Sequence, residues 1–115
     1  MNIKTSNTIL YCKKWQETVT FYAETLQLDI HFSNAWFVEF WINASARLSI
    51  ANEAHASIPS AAGKGVTIAF QVEDLQLIHT RLIEAGSQPT AIKVRWGSHV
   101  FYVHDPEGNR VEFWA

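Results

Sequence analysis

Glu112 lies in Arg110-Val111-Glu112-Phe113-Trp114, a carboxylate set among residues that favour strands. In that setting it is either turned to solvent or part of a site. As a site it offers metal ligation, proton transfer or recognition of a cation. Glu39, inside Trp36-Phe37-Val38-Glu39-Phe40-Trp41-Ile42, raises the same choice. The other routes to chemistry are thin. Of the five histidines, His55 falls in a polar stretch and His79 on a helix, and both are expected to be solvated. His104 shares a strand face with Tyr102 and is expected to reach Glu112 across a hairpin. It is then either a proton-transfer partner or an ordinary hydrogen-bonded strand-end histidine. Cys12 is expected on the buried side of its strand, an inert thiol rather than a nucleophile. No glycine-rich phosphate loop and no nucleophile elbow occurs.

These side chains need a scaffold, and the bulk numbers allow one. A chain of 115 residues, 48% hydrophobic and 17% charged, suits a single folded domain with one core. Its net charge of −2 makes no electrostatic case for nucleic acid or an anionic membrane surface. No apolar run is long enough to span a bilayer, and Met1 to Thr5 lacks the apolar core of a signal peptide. One cysteine excludes an internal disulfide and fits a reducing cytoplasm. Five tryptophans in so short a chain serve either as packing or as the lining of a pocket.

The strongest local signal is Asp105-Pro106-Glu107-Gly108-Asn109. Pro106 pre-sets φ, Gly108 accepts positive φ, and the Asp and Asn side chains bond nearby backbone. Flanked by Val100–Val103 and Val111–Trp114, it reads as a hairpin turn. Upstream, strands are expected at Thr8–Cys12, Asp29–Phe32, Ala35–Ile42, Arg47–Ala51, Val66–Val72, Ala91–Val94 and His99–Val103. A helix carrying Trp15, Val19, Tyr22 and Leu26 at helical spacing follows the first strand. A second, with Asp74 as N-cap and Gly86 as its stop, carries Leu75, Ile78, Leu82 and Ile83. Strand, helix and three strands thus occur twice. The order predicts an α+β fold of two βαβββ repeats, 1–52 and 65–115, joined by a linker at 53–64, with curved mixed sheets around a cavity.

Alternation along each strand assigns two faces. Leu10, Cys12, Trp36, Val38, Phe40, Ile42, Leu48 and Ile50 are expected under the first helix, and Val66, Ile68, Phe70, Val72, Val111 and Phe113 under the second. The opposite faces carry Asn7, Ile9, Tyr11, Phe37, Glu39, Trp41, Arg47, Ser49 and Ala51 in the first repeat. In the second they carry Thr67, Ala69, Gln71, Tyr102, His104, Arg110, Glu112 and Trp114. Large aromatics mixed with a few polar groups suit a concave ligand site. Glu39 and Glu112 there favour a cationic ligand stacked on Tyr11, Trp41 or Trp114. Alternatively Arg47 and Arg110 neutralise those carboxylates; an unpaired buried carboxylate is too costly to stand without a partner.

The doubled unit, Ile9-Leu10-Tyr11 with Phe21-Tyr22 downstream, Phe70-Gln71-Val72-Glu73-Asp74, Trp96-Gly97 and the Asp105–Phe113 hairpin together resemble the vicinal-oxygen-chelate superfamily of glyoxalases, bleomycin-resistance proteins and extradiol dioxygenases. In metal-dependent members the resemblance places four ligands on four strands. By motif position these are Asn7, Ser49, Thr67 and Glu112. With one carboxylate and no histidine, this set is poor for a catalytic metal, so neither metal nor cofactor is expected. The resemblance implies a bleomycin-resistance-like protein that sequesters a small organic ligand, cationic or aromatic, as in antibiotic resistance. It also implies a homodimer with pockets shared between subunits. The alternative is a metal-dependent lyase, dioxygenase or thiol transferase of the same superfamily. The expected ligand-binding residues are Asn7, Tyr11, Glu39, Trp41, Ser49, Thr67, Gln71, Tyr102, His104, Arg110, Glu112 and Trp114.

Overall fold

The computed structural model describes all residues, Met1–Ala115, as two compact units, Met1–Ala62 and Gly63–Ala115. The first contains β1 (Ser6–Cys12), α1 (Trp15–Thr20), β2 (Ile30–Ser33), β3 (Phe37–Asn43) and β4 (Ala46–Asn52). The second contains β5 (Thr67–Gln71), α2 (Leu75–Glu84), β6 (Lys93–Arg95), β7 (Ser98–His104) and β8 (Arg110–Trp114). Each unit forms a four-stranded mixed sheet, ordered β1-β4-β3-β2 and β5-β8-β7-β6. The first and last strands of each unit run parallel and the remaining neighbours antiparallel. This is the α+β fold with two repeat-like halves that the element order predicts, and both sheets are open. No helix is long and apolar enough to cross a membrane.

In the first unit Leu10, Cys12, Val38, Phe40, Leu48 and Ile50 are buried, as their alternation requires. Helix α1 corrects the expected phase. Its buried residue is Thr18, whose hydroxyl donates back to the Lys14 carbonyl at 2.7 Å. The stripe through Trp15, Val19 and Leu26 is only half-buried. After Thr20 the backbone widens into a π-helical turn over Phe21–Thr25, with Leu26 N–H donating to Phe21 O at 2.9 Å. Widening lets two adjacent residues, Phe21 and Tyr22, both point inward, their rings 5.1 Å apart and perpendicular. Trp36 and Ile42 are half-buried rather than core, and Trp36 precedes β3, stacking on His55 at 6.3 Å. On the other face, Ser49 and Ala51 are fully buried, so that face is not uniformly wet.

In the second unit Val103, Val111, Phe101 and Phe113 pack with Leu75 and Leu82 of α2 as the core. Phe101 and Phe113 stack at 5.3 Å, and Phe70 leans on Phe113 at 5.7 Å. The Asp74 carboxylate accepts from Leu77 N–H at 3.0 Å, the expected N-cap, and Gly86 ends the helix at φ +84°. One expectation fails here, and one is met with less burial than a core face has. Ile83 is 55% exposed, because Leu75, Ile78 and Leu82 already form the inward line and Ile83 lies a further 100° round the helix. Val66, Ile68, Phe70 and Val72 are half-buried, since β5 is an edge strand.

The hairpin turn is held from within. Asp105, itself buried, accepts from the backbone N–H of Glu107 at 3.0 Å and of Asn109 at 2.9 Å, and from Asn109 Nδ2 at 2.9 Å. Gly63 lies directly on this turn at φ +80°, so close that a Cβ would stand 2.0 Å from the Gly108 carbonyl oxygen. The stretch from 53 to 62 is ordered by local bonds, including Ser60 N–H to Glu53 Oε1 at 2.8 Å and a 3-10 turn over Glu53–His55.

Candidate functional site

The turn at Asp105–Asn109 sets the register of β7 and β8, and the register decides which side chains meet. Tyr102 stands opposite Glu112, Val100 opposite Trp114, and His104 opposite Arg110. His104 therefore does not stand opposite Glu112 as expected; its partner is Arg110, two residues earlier on the same strand, and Tyr102 takes that place. Tyr102, Glu112, Val100 and Trp114 border a depression of about 170 Å³ on the face away from α2. Glu112 and Trp114 of β8 form one side, and Tyr102 and Val100 of β7 the floor. Arg95, Trp96 and Ser98 of the β6–β7 hairpin form the rim.

Glu112 is half-buried and makes no hydrogen bond or ion pair within the chain. Arg110, the alternative neutralising partner, is engaged elsewhere. Its Nε donates to Thr67 Oγ1 at 2.9 Å, and its guanidinium lies 4.7 Å from the Tyr102 ring centroid. The reason is the sheet ladder. Thr67 is the β5 residue directly opposite Arg110, whereas Glu112 is two residues along the same strand. Gln71, opposite Trp114, and His104 are both exposed and make no side-chain bond.

The first unit answers the same question the other way. Glu39 is well partnered: Arg47 Nε lies 3.7 Å from its Oε2, His31 Nδ1 meets the same oxygen, and Asn7 Nδ2 donates to Oε1 at 3.4 Å. Ser49 Oγ in turn donates to Asn7 Oδ1 at 2.8 Å. Trp41 lies between two of these groups, with the Arg47 guanidinium 3.6 Å over its ring and His31 edge-on at 4.4 Å. Tyr11 is half-buried and takes no part. Asn7, Glu39, Trp41 and Ser49 are thus brought together, and the Arg47 alternative for Glu39 is the one realised.

Several participants were not among the expected site residues. His31 reaches Glu39 because the β2–β3 register shifts between Ile30 and Phe32, a bulge that re-aims the intervening side chain. Nothing in the local sequence marks that bulge. Arg95 and Ser98 flank a two-residue turn, Trp96-Gly97, in which Trp96 at φ +46° and Gly97 at φ +78° are both left-handed. The Trp-Gly pair was visible as a motif, and its hairpin geometry was the available signal. His79, expected in solvent, is half-buried. Its Nε2 bonds the Thr90 carbonyl at 2.9 Å and its ring stands edge-on to Phe101 at 4.9 Å.

With this architecture in view, residues 5–113 match the model of the Glyoxalase/Bleomycin resistance protein/Dioxygenase superfamily, and the chain belongs to that family. Solved structures agree on the fold. A lactoylglutathione lyase from Agrobacterium tumefaciens is 21% identical with a TM-score of 0.76, over 94% of this chain and 90% of that one. A protein described as oxidase ChaP-H2 is 22% identical with a TM-score of 0.77, over 100% and 94%. A glyoxalase/bleomycin resistance protein from a Streptomyces species is 16% identical with a TM-score of 0.76, over 95% and 97%. No curated protein sequence matches the chain.

A family that includes metal enzymes raises the question of whether these residues fit a metal. The positions implied are Asn7, Ser49, Thr67 and Glu112. The Ser49 hydroxyl is committed to Asn7, and Thr67 accepts from Arg110. Nowhere do three or more His, Cys, Asp or Glu side chains converge as a metal site requires. One carboxylate with neutral amide and hydroxyl oxygens does not fit a catalytic divalent ion.

Proposed function

We propose that this chain is a small-molecule-binding member of its family, sequestering a small organic ligand on the open face of its second sheet without a metal. The observation that carries this reading is Glu112, a half-buried carboxylate between Tyr102 and Trp114 with no partner of its own. Withdrawing an unpaired carboxylate from water is unfavourable, and a ligand amine relieves that cost. The Trp114 ring beside it adds cation–π attraction for the same group. The depression, about 170 Å³, is below the roughly 300–1,000 Å³ of sites for drug-sized molecules and suits a single ring with its substituents.

The alternative in the same family is a metal-dependent lyase, dioxygenase or thiol transferase. The donor set argues against it, and likeness to a lactoylglutathione lyase at 21% identity speaks for the fold alone. Metal analysis of protein purified without chelator, paired with tryptophan fluorescence titration against aromatic amines, tests the reading. Saturable quenching by an amine in metal-free protein is the expected result. Stoichiometric zinc, nickel, manganese or iron, or a flat response to every amine, overturns it. The homodimer belongs to the same proposal and is read by analytical ultracentrifugation.

A further inference from the structure

Beside the Glu112 depression lies a second, of about 90 Å³, that shares Arg95, Val100 and Tyr102 with it. Its distinctive members are Thr90, Ala91 and Lys93. Lys93 and Arg95 are alternate residues of β6, so both side chains leave the same face of the sheet, opposite Val100 and Ser98 respectively. Neither makes a hydrogen bond or ion pair with the rest of the chain. Arg95 lines the cavity that holds Glu112, yet the two are not an ion pair. Charge on this face is therefore divided across the strands. Two free cations lie on β6, an aromatic floor on β7, and a free carboxylate on β8. Strands separated by one neighbour stand roughly 10 Å apart, a gap that long side chains shorten.

Resting on the binding reading above, we propose that the ligand is amphoteric: a single aromatic ring with a protonated amine at one end, held by Glu112, and an anionic group at the other, held by Lys93 and Arg95. A ligand bearing only an amine leaves both cations unpaired and meets their repulsion. One bearing only an anion meets Glu112 in the same way. The amphoteric ligand satisfies both ends and spans the floor over Tyr102.

Isothermal titration calorimetry of the full chain with 4-(aminomethyl)benzoate, benzylamine and benzoate tests this. The amphoteric compound should bind at least tenfold more tightly than either of the others. A Lys93→Met/Arg95→Met double variant, altered only at exposed edge-strand positions, should reduce its advantage over benzylamine to less than threefold, the amphoteric compound losing affinity and benzylamine gaining it as the repulsion is removed. Benzylamine or benzoate binding as tightly as the amphoteric compound overturns the proposal, as does a double variant that keeps the tenfold preference. Binding of benzylamine without preference leaves the binding function standing and removes only this inference. Failure of all three compounds removes both.

Discussion

Asp105 and Asn109 are joined twice, the carboxylate of one accepting both the backbone and the side-chain amide of the other, at 2.9 Å in each case. Both residues are buried, so these charge-assisted bonds are not exchanged for water at small cost. Asp105→Ala leaves three donors, the backbone N–H groups of Glu107 and Asn109 and the Asn109 side-chain amide, without that acceptor and should lower the unfolding free energy by about 3 kcal/mol. Urea unfolding measures it; a loss under about 1 kcal/mol means the turn closes without the carboxylate.

Gly63 and Gly86 share left-handed backbone but not surroundings. Substituting Gly86 by Ala meets open space, so only the backbone preference is lost, about 1 kcal/mol. At Gly63 the new Cβ runs into the Gly108 carbonyl, a backbone atom that cannot rotate away. Gly63→Ala should cost more than about 2 kcal/mol, and thermal melts of the two variants side by side should rank them in that order. Equal melting temperatures would refute the steric account.

The two open-face carboxylates should respond in opposite ways to the same change. Glu39→Gln weakens contacts with His31 and Arg47 and should destabilise the protein by about 1 kcal/mol. Glu112→Gln has no partner to lose and should leave stability within about 0.5 kcal/mol of the parent, while reducing amine affinity roughly tenfold. Chemical denaturation and calorimetric titration of both variants decide the point.

Trp114→Ala should weaken binding of an aromatic ligand with little loss of fold, because Trp114 is half-buried on the face away from α2. Retained melting temperature with lost fluorescence quenching is the expected pair of results. A collapsed melt shows instead that Trp114 supports the core.

What could be read from residues alone was local or periodic. The Asp105–Asn109 turn, the Asp74 cap and the Gly86 stop depend on neighbours within four positions, and the structure realises all three. Strand faces followed because a turn of known length fixes a period of two, as in Val111 and Phe113 inward with Glu112 between them. Features set by longer range escaped. The widening at Phe21–Thr25 shifts the inward line of α1 to Thr18, and a regular helical period cannot express it. The bulge at His31 depends on how β2 meets β3. Whether Arg110 would choose Thr67 or Glu112 was decided by the β5–β8 ladder, a pairing across more than forty positions of sequence.

The parallel pairing of first and last strands carries a kinetic consequence. Ser6 pairs with Ala46 and Thr67 with Arg110, so each sheet is completed by joining segments roughly forty residues apart. The entropy of closing so long a loop is lost before the new ladder repays it. Chains dominated by such non-local contacts cross their barrier slowly, in milliseconds to seconds rather than microseconds. Since the two separations are nearly equal, both halves face a barrier of similar origin. Substitutions in β4 or β8 should therefore slow refolding more than substitutions in β2 or β6, which join by short antiparallel hairpins.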